Sequence, residues 1–127
     1  MKNNIIIANE DNLQFISDQV PISPLRQQWA YNNLGYELAG LVIDKVLTPR
    51  TWSDVIREDF LEPLKMTRTF TKHPPADVQD VSKAYNTLDN ATATEIPSVK
   101  AGDGAIGGAS GGMFSCVADL LNFTPLS

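Results

Sequence analysis

The sequence is poor in the residues that cross-link chains or hold metals. Cys116 is its only cysteine and His73 its only histidine. An internal disulfide is therefore excluded, and a zinc site would need several more ligands than these two. Ten basic residues against fifteen acidic ones leave a net charge of -5, and Lys and Arg form no run, which argues against a nucleic-acid partner. Long apolar runs are lacking as well. Ile5-Ile6-Ile7-Ala8, the longest near the start, is too short for a signal-peptide core or a membrane span. The expectation is a soluble chain with no membrane partner and no visible address. What is present suits one globular domain: 127 residues, 43% hydrophobic and 20% charged, enough for a single core and too few for two.

Four helices are predicted. Residues 10–20 place Leu13, Ile16 and Val20 on one face, and Pro21 and Pro24 then hold the chain extended. From Leu34 to Leu47 apolar residues cover most of the helix surface, the mark of a central helix, with Leu38, Val42 and Val46 expected inside. Gly35, Ala39 and Gly40 remove bulk there and suit a close neighbour. The third helix opens on Thr51-Trp52-Ser53-Asp54, a capping-box-like start. Its face of Trp52, Val55, Ile56 and Phe60 runs to a stop at Pro63. Residues 67–112, rich in Pro, Thr, Asp, Asn and Gly, read as loops with at most short strands. A fourth helix follows Ser115, its expected cap, with Val117, Leu120 and Leu121 on one face. So long a structureless stretch counts against a self-contained domain and predicts support from outside these residues.

The segment 101–112 has six glycines in twelve residues, a backbone suited to positive φ or close approach. Gly108-Ala109-Ser110-Gly111-Gly112 satisfies G-x-S-x-G, and Ser110 would be the nucleophile of an α/β-hydrolase elbow. That motif needs an apolar strand before it and a histidine after it. Here "AGDGAIG" precedes the serine, and His73 comes earlier in the chain. The preferred reading is a close-packed loop leading into a helix cap. Gly102-x-Gly104 followed by Gly107 also lacks the preceding strand of a dinucleotide site. His73, beside Pro74-Pro75, reads as a solvated loop residue.

The richest stretch is Trp29 to Gly40, "WAYNNLGYELAG". Asn33 before Leu34 can cap the helix through its side-chain oxygen, and Tyr31 can be a half-buried aromatic with a wet hydroxyl. On their own, these residues call for nothing more.

Three blocks add to that reading. "WAYNNLGYELAGLVIDKV", "TWSDVIREDFLEPLKMTRTF" and "GGMFSCVADLLNF" resemble, in order, the serine beta-lactamase-like family of class C beta-lactamases, penicillin-binding D,D-peptidases and related esterases. The resemblance covers residues 24–70 and 107–123. It implies acyl transfer through a lysine-activated serine, with no metal or organic cofactor. It also gives Tyr31 the place of the general base that later returns the proton to the leaving group. Asn33 would hydrogen-bond the substrate's amide carbonyl and the catalytic lysine. A free phenol titrates near 10, so the role requires neighbouring ammonium groups.

The sequence also departs from the family pattern. No serine has Lys three residues later, and Thr69-x-x-Lys72 lies on the wrong side of Tyr31. The Lys-Thr-Gly or His-x-Gly strand is missing too, Lys65 stands where Gly is usual, and Pro49-Arg50 replaces the Gly after the helix. The resemblance thus implies a mainly α chain: the helix-rich inserted lobe of an α/β fold whose sheet half is supplied by other residues. Within 1–127 it implies a Tyr-x-Asn lobe at 20–70, a loop-rich segment at 71–106, and a glycine-rich loop with return helix at 107–123. A small acyl substrate (ester, amide or β-lactam) is the expected partner of the complete protein, and these residues alone are expected to be inactive. The rival reading is a non-catalytic binding or regulatory module that keeps the lobe.

Overall fold

The computed structural model describes residues 7–98 and 106–124. Over these the chain is mainly α, with a single two-stranded sheet.

A 3₁₀ turn at Asn9–Asp11 runs into α1, Asn12–Ser17. Its contact with the next helix is polar. Asn12, 1% exposed, donates through Nδ2 to Glu37 Oε1 at 3.1 Å. The apolar face expected here does not form: α1 ends before Val20, and Leu13 and Val20 are exposed.

The long helix α2 spans Asn33–Val46. Its cap is Asn32, one residue before the expected Asn33. Asn32 has the extended backbone that a cap needs, and its Oδ1 accepts the Leu34 N–H at 2.7 Å. The larger correction concerns which face is covered. Glu37 and Gly40 are buried, whereas Leu38, Val42 and Val46 are exposed at 38%, 53% and 72%. These three stand at i, i+4 and i+8, a stripe roughly opposite the Gly40 face. The covered face is the one with the least bulk, because a neighbouring helix brings a side chain close there. A Cβ on Gly40 would lie 2.5 Å from the Ala109 Cβ and 3.4 Å from the Trp52 ring. Ala109 belongs to α4, Gly108–Gly111, which starts after Gly107 at φ 105°. A Cβ on Gly35 would meet nothing within 4 Å.

The short helix α3, Trp52–Ile56, carries the full capping box predicted for Thr51 and Asp54. Asp44, near the end of α2, also accepts the Trp52 N–H and so fixes where α3 begins. The helix then widens into a π turn at Arg57–Leu61, with the Glu62 N–H reaching the Arg57 carbonyl at 2.9 Å. Leu61 and Met66 are the large apolar side chains buried among the described residues. In the loop-rich stretch, β1 (Ala84–Thr87) and β2 (Ala93–Ile96) form an antiparallel hairpin in the register Ala84↔Ile96.

The last helix, α5, spans Val117–Phe123. Ser115 is not its cap. Cys116 holds that position, without a side-chain bond, and the Ser115 hydroxyl lies 2.8 Å from that of Thr69. Buried Asp119 accepts both the Thr69 hydroxyl at 2.8 Å and the Arg68 N–H at 2.7 Å. Phe70 and Phe114 exchange two backbone hydrogen bonds alongside. These contacts staple α5 to the turn after α3 and leave Val117, Leu120 and Leu121 exposed.

Candidate active site

The mouth of α2 shows why two asparagines in succession serve different ends. Asn32 is extended and spends its side chain on the cap. Asn33 is already helical, so its side chain is released from capping. Its Oδ1 accepts the Tyr31 hydroxyl at 2.8 Å in an exposed hydrogen bond. Tyr31 is 61% exposed, and its ring tilts against that of Tyr36, with centroids 5.7 Å apart. The phenol is thus held at the surface by one polar and one aromatic neighbour.

Tyr31 and Asn32 border an open concavity of about 370 Å³, together with Trp29, Gly35, Tyr36 and Ala39. Asn33 meets it through the Tyr31 hydroxyl rather than as part of its lining. The structure therefore brings Tyr31 and Asn33 together. It adds Trp29 and Tyr36, which the sequence reading passed over although both aromatics stand within five residues of Tyr31. Among the described residues, no group of three or more His, Cys, Asp or Glu side chains could hold a metal.

The beta-lactamase family model matches residues 2–127. The chain belongs to the beta-lactamase family. Comparison with curated proteins gives no match. Membership relates the chain to the serine hydrolases, and the serine residues gain their meaning in that setting. In this family member Ser110 sits inside α4, half-buried and without positive φ; Gly107 takes the left-handed backbone instead. A strained nucleophile elbow is not what surrounds it. Gly102 and Gly104 lie outside the described residues. His73 is half-buried rather than solvated: its Nδ1 is 3.0 Å from the Pro74 carbonyl, and its ring meets Phe114 edge-on at 5.3 Å.

The shifted ionisations lie at exposed surface pairs, away from Tyr31. The Asp54 carboxyl is held below its usual range by the Thr51 backbone N–H first and the Thr51 hydroxyl second. Asp59 is the main cause of the rise at Arg50, Glu62 of that at Arg57, and Glu95 of that at Lys83. These pairs shape α3 and the hairpin rather than a reaction centre.

Proposed function

We propose that this chain supplies the tyrosine–asparagine side of an acyl-transfer site in a beta-lactamase-like fold. The serine nucleophile and its lysine stand on a further segment, the sheet half, packed against the apolar stripe of α2. The observation that carries the reading is the exposed 2.8 Å bond from the Tyr31 hydroxyl to Asn33 Oδ1. The bond holds the Tyr31 oxygen at an exposed edge beside Asn33, where, once the phenol has given up its proton, it can accept one from an incoming hydroxyl. Asn33 keeps its Nδ2 amide as the donor that a substrate carbonyl needs.

In this reading Tyr31, its own proton already lost to solvent, takes the serine proton as the serine oxygen bonds to the substrate carbonyl carbon. It returns that proton to the leaving nitrogen or oxygen as the tetrahedral intermediate collapses, and water then repeats the cycle on the acyl-enzyme. The ammonium groups of the nucleophile segment favour the phenolate form that this needs. The exposed Leu38, Val42 and Val46 supply an apolar bed for that segment.

The test joins the chain to a family sheet half that carries Ser-x-x-Lys and follows nitrocefin and p-nitrophenyl ester hydrolysis. Activity that falls by about 10²–10⁴-fold in Tyr31→Phe supports the assignment. Equal rates for the two proteins overturn it. The absence of Ser-x-x-Lys within these residues favours a second reading, a binding module without chemistry. It predicts a stable joined protein that hydrolyses neither substrate.

A further inference from the structure

We propose that Tyr36 is a positioning residue for Tyr31: its ring, carried on the first turn of α2, holds the Tyr31 phenol at the angle that proton transfer needs. The role presupposes the acyl-transfer reading, in which the Tyr31 oxygen takes and returns the proton; Tyr36 has no part in the proton's path. Tyr31 stands in neither helix nor strand, one residue before the Asn32 cap. No helical or ladder hydrogen bonds therefore fix its backbone, and the contacts of its own side chain set where the phenol points. Two are present. The hydroxyl donates to Asn33 Oδ1 at 2.8 Å. The ring meets that of Tyr36 with centroids 5.7 Å apart at an interplanar angle of 41°, inside the roughly 4.5–7 Å range of attractive aromatic pairs.

A hydrogen bond at the tip of the phenol is a pivot, about which the ring can swing. It also depends on the proton: once the phenol gives that up, as the proposed reaction requires, its oxygen has nothing to donate to Asn33 Oδ1. The contact with Tyr36 needs no proton and persists in both forms. Asn33 and Tyr36 both belong to α2, so pivot and stop are carried on one rigid element, which holds a group more precisely than a loop does. Precision matters because a general base must come within about 2.6–3.2 Å of the atom whose proton it takes. The part played by Tyr36 lies in its ring, since no hydrogen bond among the described residues uses its hydroxyl. An aromatic pair of this kind favours one arrangement by about two- to twelvefold, and loss of the ring should have an effect of that size.

The test compares Tyr36→Leu with Tyr36→Phe. Leu is a good helix former, so α2 itself is not at stake, and Phe keeps the ring without the hydroxyl. In the intact 127-residue chain, NMR of labelled tyrosine reads the order of the Tyr31 side chain. Tyr36→Leu should lower that order and move the Tyr31 ring signals towards those of free tyrosine, and Tyr36→Phe should leave both as in the parent. In the joined protein, Tyr36→Leu should lower kcat for nitrocefin about two- to twelvefold with KM unchanged within about twofold, the mark of an effect on the reaction rather than on binding. Tyr36→Phe should restore the parent rate. An unchanged Tyr31 ring in Tyr36→Leu, or a Phe variant as slow as the Leu variant, would overturn the positioning role. So would full turnover in Tyr36→Leu beside a crippled Tyr31→Phe, a result that spares the acyl-transfer reading. Full turnover in Tyr31→Phe would instead remove that reading, and the task of Tyr36 with it.

Discussion

Asn32 and Asn33 are the same amino acid one peptide apart, and the backbone alone separates their roles. Asn32→Ala removes the acceptor of the Leu34 N–H and should cost about 1 kcal/mol in urea unfolding. Asn33→Ala breaks only an exposed bond and should change stability by no more than about 0.5 kcal/mol. A larger loss in Asn33→Ala than in Asn32→Ala would show that the cap has been misplaced. The closeness of Tyr31 and Asn33 was legible in sequence because they stand two residues apart at the mouth of a helix. Which asparagine caps was not, since capping depends on where the backbone turns helical. Asp119 was less legible still, because its partners Arg68 and Thr69 lie about fifty residues away. Asp119→Ala strands a buried hydroxyl and N–H and should cost about 1–3 kcal/mol, more than Asp119→Asn, which keeps an acceptor. Asp54 adds a pH dependence. Its folded pKa is depressed below the ordinary 3.8, so its contribution is complete above that value and lost as the pH falls through the depressed one. Asp54→Asn should flatten that part of the acid limb of a melting-temperature profile.

At the scale of the element, α2 decides how the described residues are arranged. The sequence showed a helix with apolar residues on nearly every side, and such a helix carries no signal for which face is covered. The deciding feature is Gly40, where α4 approaches closer than any side chain allows. Gly40→Ala should therefore destabilise by about 1–3 kcal/mol, through displacement of Ala109. Gly35→Ala, in open space on the same helix, should stabilise by about 0.5–1 kcal/mol. Comparable effects at the two glycines would refute the close α2–α4 contact. Leu38→Ala and Val42→Ala, at exposed positions, should cost less than about 1 kcal/mol in this chain, against about 2–5 kcal/mol for a buried Leu→Ala. In the joined protein the same substitutions should approach the larger range, because the stripe is then covered. The capping box of α3 was fully readable, since Thr51 and Asp54 are three residues apart and need no distant partner.

Across the whole molecule, apolar surface is left over. Leu61 and Met66 are buried, while the α2 stripe and the Val117–Leu121 side of α5 face outward. Surface of this kind in one chain calls for a cover, and the sheet half of a beta-lactamase-like fold is the cover proposed. The family was legible because three blocks keep their order along the chain. The mostly exposed packing was not, since burial in a helix pattern presumes that every packing partner is present. The central claim is that Tyr31 is the base of an acyl-transfer site completed by a Ser-x-x-Lys segment. The most direct measurement is the rate of nitrocefin hydrolysis by the joined protein and its Tyr31→Phe variant, with the 127 residues alone as the baseline. A baseline no faster than buffer, turnover on joining, and a loss of about 10²–10⁴-fold in Tyr31→Phe are predicted. Turnover that is the same with and without the Tyr31 hydroxyl, or hydrolysis by the 127 residues alone that disappears in Ser110→Ala, would contradict the account.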